Sequence, residues 1–195
     1  LAAMATATRP NGVALVAACA VASLIAIRND REWRSLIAPV LSPLGFFGFM
    51  WFLRMHTGEG LAWFRVQREA WQEGTSFGAT AVQRTYDFFL HPVSSPTSVL
   101  TAASVAAMLI ALYMARKYKM NLIYWAYTIV VLALMLIPAT VTARPRFLFT
   151  AFPLFFPVAR ALRDEDDTWW PLVVMVMIGG LVTVMGIYGV RGAIP

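Results

Sequence analysis

"NLIYWAYTIVVLALMLIPA", residues 121–139, runs for nineteen residues without one charged side chain. About 20 apolar residues in helical form span the roughly 30 Å hydrocarbon core of a bilayer, so this stretch reads as a membrane helix. Basic residues Arg116, Lys117 and Lys119 stand before it, and Pro138 stands at its far end. Working outward, similar apolar blocks occur at about residues 11–27, 36–53, 97–115, 147–162 and 170–190. The expected fold is therefore all-α, a polytopic membrane helix bundle of about six spans.

Composition agrees. Of the 195 residues 59% are hydrophobic and only 13% charged, and mean hydropathy is +0.66, which removes the soluble globular classes. Inside lipid each span must satisfy its own backbone hydrogen bonds, which leaves the short polar stretches as loops. The net charge of +6 does not point to nucleic acid, because the basic residues gather at span ends rather than along one stripe. Lipid headgroups are the expected partner. Fourteen of the sixteen basic residues are Arg, which with abundant Ala fits a GC-rich bacterial genome. Cys19 is alone, so the chain can build neither an internal disulfide nor a cysteine-based metal site. The first apolar block lacks a convincing cleavage site and reads as a retained helix. The opening "LAAMATATRP" has no initiator Met, so the numbering is expected to begin inside a longer polypeptide or at a non-AUG start.

Two blocks carry internal prolines: Pro39 and Pro43 in the second, Pro153 and Pro157 in the fifth. Proline frees a backbone carbonyl and bends a helix, and broken membrane helices tend to line cavities. Trp33, Trp51, Tyr124, Trp125, Trp169, Trp170 and Tyr188 lie near span ends, where amphipathic rings sit at headgroup level. Lys and Arg in the short loops 28–35, 116–120 and 163–169 favour that side as cytoplasmic. The long loop 54–96 and the Arg144-Pro145-Arg146 turn then lie together outside.

Within the long loop, residues 59–73 have helical periodicity. At about 100° per residue, Val66, Ala70, Trp63, Gln67, Trp71 and Phe64 share one arc, with Arg68, Gln72, Arg65, Glu69 and Glu73 opposite. Such a helix suits the membrane surface. Gln67 is the polar exception in the apolar arc, placed either to bond a neighbouring helix or to face a polar ligand. The acidic run 163–167 reads as a solvated connector, and His56 and His91 lack metal-ligand spacing, so no metal or cofactor is expected.

"TARPRFLFTAFPLFFPVA", residues 142–159, concentrates the chemistry. Pro145 biases Arg144 toward extended geometry, in which Arg144 and Arg146 project to similar sides and can both reach one phosphate. Ordinary anchoring in headgroups is the competing reading. The Phe-rich, Pro-broken segment that follows would supply a groove for a lipid tail.

The stretches "LSPLGFFGFMWFLRMHTGEGLAWFRVQREAW" (41–71) and "ARPRFLFTAFPLFF" (143–156) together resemble the later part of the bacterial PIG-V-like mannosyltransferases, relatives of the eukaryotic GPI mannosyltransferase 2, in the GT-C superfamily. The resemblance rests on a small-residue helix, Thr-Gly-acidic, a Gln and a Trp four apart, and a later Arg-Phe before "AFPL". It implies that the chain, one transmembrane domain over residues 1–195, is a C-terminal part of a larger enzyme. That enzyme would transfer mannose from a polyprenyl-phosphate donor to a lipid- or protein-linked acceptor outside the membrane. Arg146 would match the family arginine, and Gln67 and Trp71 the outer-loop pair. The match fails at the catalytic carboxylate, which the family carries in its first outer loop. Here the first loop, "RNDREWRS" (28–35), is short and read as cytoplasmic, so Asp30 is a poor substitute; Glu59, Glu69, Glu73 and Asp87 remain without a leading candidate. The alternative is a non-catalytic membrane subunit or scaffold that docks onto a larger enzyme or transporter. A transporter or channel component is disfavoured by the near absence of charge within the spans.

Overall fold

The structure, a computed structural model, describes residues 1–70, 73–91, 96–139, 145–164 and 169–191. Among them there is no β-strand. The helices are α1 (Ala2–Thr8), α2 (Val13–Asp30), α3 (Ile37–Leu41), α4 (Leu44–Thr57), α5 (Ala62–Ala70), α6 (Ala79–Leu90), α7 (Pro96–Lys117), α8 (Leu122–Leu136), α9 (Pro145–Leu148), α10 (Phe155–Asp164) and α11 (Trp169–Arg191). Among the described residues three helical stretches are long and apolar enough to cross a membrane: Val13–Asp30, Trp33–Thr57 and Thr97–Lys117. Leu122–Leu136, Phe152–Leu162 and Trp170–Val182 are shorter apolar helices. The protein is thus an all-α membrane protein.

Both proline-bearing blocks break, and the freed polar groups find partners. Pro43 offers no N–H to the Pro39 carbonyl; the Ser42 hydroxyl donates to it instead at 3.2 Å. The Ser42 carbonyl accepts from the Thr6 hydroxyl at 2.6 Å, and Ser42 is fully buried. Side-chain hydroxyls can replace lost ladder bonds in this way where water is absent. The same contact seats α1 against α4, and a β-carbon on Gly45 would collide with the Ala3 carbonyl.

In the fifth block the helix stops after Leu148, turns through residues 149–151 and resumes as a 3-10 turn (Phe152–Leu154) that leads into α10. Pro153 sits at the start of the 3-10 turn and Pro157 in the first turn of α10, where a missing N–H costs no helical bond. The break is buried at Ala151, Pro153 and Leu154.

Small and medium side chains form the core: Ala14 on α2, Ala81 on α6, Met108, Ala111 and Ala115 on α7, Val131, Leu132 and Met135 on α8, then Leu148, Ala151 and Leu154. Short side chains let helix backbones approach closely, which matters where lipid removes the hydrophobic drive between helices. The most extensive pairings are α2 with α8, α1 with α4 and α6 with α7. Among the described residues no pairing of comparable extent involves α11, whose Leu172, Met175, Val176, Ile178 and Leu181 are exposed.

Two local expectations change. The loop helix covers Ala62–Ala70 rather than 59–73, beginning after Gly58 (φ +76°) and Gly60; Glu73 is non-helical, and Trp71 lies outside the described residues. Its protected flank is Ala62, Trp63 and Gln67, while Phe64, Val66 and Ala70 are exposed. Second, the long loop holds another helix, α6, which the periodicity of the chain did not single out.

Candidate functional site

The site is built around the end of α8. A helix leaves its last carbonyls without internal partners. Here the strand-like stretch Gly74–Gly78 supplies them. The amides of Ser76 and Phe77 donate to the Ile137 carbonyl at 2.8 and 3.3 Å, and the Gly78 amide donates to Leu136 at 2.8 Å. In return the Ala139 amide donates to the Gly74 carbonyl at 2.9 Å, and Thr75 and Pro138 form an isolated antiparallel bridge. Left-handed backbone at Phe77 (φ +48°) and Gly78 (φ +90°) turns successive amides toward α8 before α6 begins.

This latch continues toward α5, because the Glu73 amide donates to the Gln67 carbonyl at 3.2 Å. A run of backbone bonds thus ties Gln67 to Ala139, six residues before Pro145. Residues 67–78 of the long loop and the end of α8 therefore share one end of the molecule. Gln67 is half-buried, and among the described residues its amide has no hydrogen-bond partner.

Arg146 lies in the first turn of α9, not in an extended segment as the spacing suggested, because Pro145 starts the helix. Arg144 lies outside the described residues, so a grip shared by the two arginines has no described geometry. The Arg146 side chain is exposed, and its guanidinium lies over the Phe147 ring at 4.8 Å. Among the described residues it meets no carboxylate.

One turn beyond Arg146 an aromatic strip begins. Phe149 stacks on Phe155 with centroids 5.5 Å apart; Phe152 packs on Tyr127 at 5.3 Å and on Phe156 at 5.9 Å; Phe156 meets Tyr124 edge-on at 5.7 Å. Phe149, Phe152, Phe155, Phe156 and Tyr124 remain partly open on their outer faces. The turn that carries the strip is pinned at Thr150. Its carbonyl accepts from the Tyr127 hydroxyl at 3.1 Å, its hydroxyl donates to Phe147 at 2.6 Å, and Asn11 reaches that hydroxyl at 3.4 Å. Sequence reading assigned Tyr124 to a membrane-edge anchor and gave Tyr127 no role; their pairing with Phe156 and Phe152 is a tertiary contact with no local signal.

Grooves of about 480 Å³, between α1 and residues 34–42, and about 320 Å³, between α6 and α7, are lined by neither Arg146 nor the aromatic strip. What adjoins Arg146 is an open aromatic surface.

Glu59, Glu69 and His56 are engaged elsewhere. Glu59 pairs with Arg65 at 2.8 Å and Glu69 approaches the same guanidinium at 3.9 Å. The His56 ring lies over Phe52 at 4.1 Å with Nδ1 3.0 Å from the Phe52 carbonyl, so its contacts lie within its own helix. Among the described residues no three His, Cys, Asp or Glu side chains gather to hold a metal ion. Asp30, at the end of α2, is not among the residues of the site.

Fold and site define a class: an all-α membrane protein with an exposed arginine heading an aromatic strip, both latched to an amphipathic loop helix. No protein-family model matches the sequence, and neither a curated protein nor a solved structure matches it.

Proposed function

We propose that the chain is the lipid-phosphate-handling part of a membrane glycosyltransferase, one that transfers mannose from a polyprenyl-phosphate donor to a lipid- or protein-linked acceptor outside the membrane. In this reading it is a multi-pass protein of about six spans in a bacterial cell membrane, with α5 lying at the outer surface. The observation that carries the reading is the exposed Arg146 guanidinium at the head of the strip Phe149, Phe155, Phe152, Phe156 and Tyr124. A polyprenyl phosphate has the same two parts, an anion and a long unsaturated hydrocarbon. The guanidinium takes the phosphate, and the rings offer apolar faces to the isoprene units.

Charge develops on the phosphate as it leaves the sugar, so a fixed cation there lowers the barrier. Gln67, and Trp71 and Arg144 by resemblance, complete the donor contacts. Deprotonation of the acceptor hydroxyl needs a carboxylate, and no described residue is assigned that role. Replacing Arg146 by Ala in the complete protein is expected to lower donor-lipid binding and mannosyl transfer at least tenfold, with partial recovery in Arg146→Lys. Unchanged values for both would remove the assignment.

A second reading, a non-catalytic subunit docked onto a larger membrane enzyme or transporter, is favoured by α11, whose described apolar side chains are exposed along both sides of the helix. On that reading Arg146→Ala binds donor lipid as the wild type does, and activity follows the presence of the larger partner.

A further inference from the structure

α6 (Ala79–Leu90) belongs to a stretch whose sequence reads as an outer loop, yet its surroundings are those of a membrane-embedded element. It packs along α7, one of the three candidate spans. The groove between them is lined by Thr85, Phe88 and Phe89 from α6 and by residues between Val99 and Leu109 of α7. Arg116 and Lys117 mark the basic end of α7. At about 1.5 Å per residue, Leu109 lies about 11 Å and Val99 about 26 Å from Arg116 along the axis, within the roughly 30 Å of a hydrocarbon core. The helix beside them is at the same depth.

The side chains of α6 divide accordingly. Ala81 and Phe88 turn toward the protein, Ala81 being 3% exposed. On the outer flank Val82, Tyr86, Phe89 and Leu90 recur at helical spacing across an arc of about 100°. All four are largely open, Val82 at 71% and Phe89 at 74%. Asp87, Thr80 and Arg84 occupy the opposite flank, and the exposed Gln83 lies beside Leu90 at the edge of the arc. Arg84 is half-buried, and among the described residues its Nη1 atom is out of contact with solvent and without a hydrogen-bond partner. A water-facing helix has no reason to present this apolar arc beside an apolar groove.

We infer that α6 is a re-entrant membrane helix whose Val82, Tyr86, Phe89 and Leu90 flank contacts lipid hydrocarbon, with an acyl chain lying in the α6–α7 groove. Twelve residues reach only about 18 Å, too short to cross, so the helix enters and leaves by the same face. The latch of residues 74–78 then fixes one end of α6 to the end of α8.

The test is depth measurement in the intact protein, reconstituted in phosphatidylcholine–phosphatidylglycerol vesicles. In a Cys19→Ser background, single cysteines at Val82 and Phe89, with Glu69 as a reference on α5, carry a nitroxide label. Collision with oxygen, which concentrates in lipid, is compared with collision with a water-soluble nickel chelate. The expected result is an oxygen-to-nickel ratio at least fivefold higher at 82 and 89 than at 69. Ratios equal to that at 69 would overturn the inference in favour of an aqueous helix, and protection from both reagents would overturn it in favour of a protein partner. Each variant is read only with wild-type helix content by circular dichroism; positions 86 and 90 replace any that fail.

Discussion

The Gly78 amide donates to the Leu136 carbonyl at 2.8 Å, and through that bond the long loop closes the open end of α8. Gly78 has φ +90°, and a β-carbon there would stand 3.9 Å from the Leu136 side chain, which leaves room for it. Substitution is therefore a backbone matter. Gly78→Ala is expected to cost about 1–2 kcal/mol, the penalty for an L-residue in the left-handed region. Hydrogen exchange at Ser76 and Gly78 should quicken roughly five- to thirty-fold if the latch opens as a local unit.

Two glycines on α4 make opposite forecasts. Gly45 lies against the Ala3 carbonyl and the Thr6 hydroxyl, whereas nothing approaches within 4 Å of a β-carbon at Gly48. Gly45→Val is expected to separate α1 from α4 and destabilise by at least about 1–3 kcal/mol, the usual overpacking range. Gly48→Ala removes unfolded-state freedom without a clash and should stabilise by about 0.5–1 kcal/mol. Unfolding midpoints in one detergent measure both.

At the proline break in the second span, Ser42→Ala removes the donor that serves the Pro39 carbonyl. A cost of about 1 kcal/mol is expected for leaving that half-buried acceptor unpaired. Pro43→Ala restores an N–H at the position from which a helix would serve the same carbonyl. The serine substitution should then cost less in that background, and a double-mutant cycle reads the difference.

The Arg65–Glu59 pair is short at 2.8 Å, but its side chains are 52% and 53% exposed. Screening by water and salt should hold its worth below about 1 kcal/mol. Arg65→Ala is expected to leave the unfolding midpoint nearly unchanged at 0.15 M salt. A large loss would mean that the guanidinium has a further partner.

Some of this was legible residue by residue. The charge-free run 121–139 and the blocks around it were legible as apolar helices, since a helix satisfies its own backbone polar groups. Pro39, Pro43 and Pro153 marked their breaks, because the missing N–H acts locally. The amphipathic loop helix was visible in its period, although its ends were not: Gly58 and Gly60 set the start, and the bond from Glu73 to Gln67 closes the end. Within the site, Arg146 was found from its place before a Phe-rich run. Its conformation was misread, because Pro145 restrains the residue before it but can itself open a helix.

The sequence by itself determined the membrane class, the long apolar helices and the places where prolines break them, all of which follow from local hydropathy and backbone chemistry. Tertiary structure alone decided that Gly74–Gly78 caps α8, that Tyr127 and Tyr124 extend the aromatic strip, and that α6 lies along α7. Those are contacts between residues as much as 65 positions apart, made because an orphan carbonyl or an uncovered apolar face takes whichever partner the folded chain brings within reach, and spacing along the chain does not record that choice.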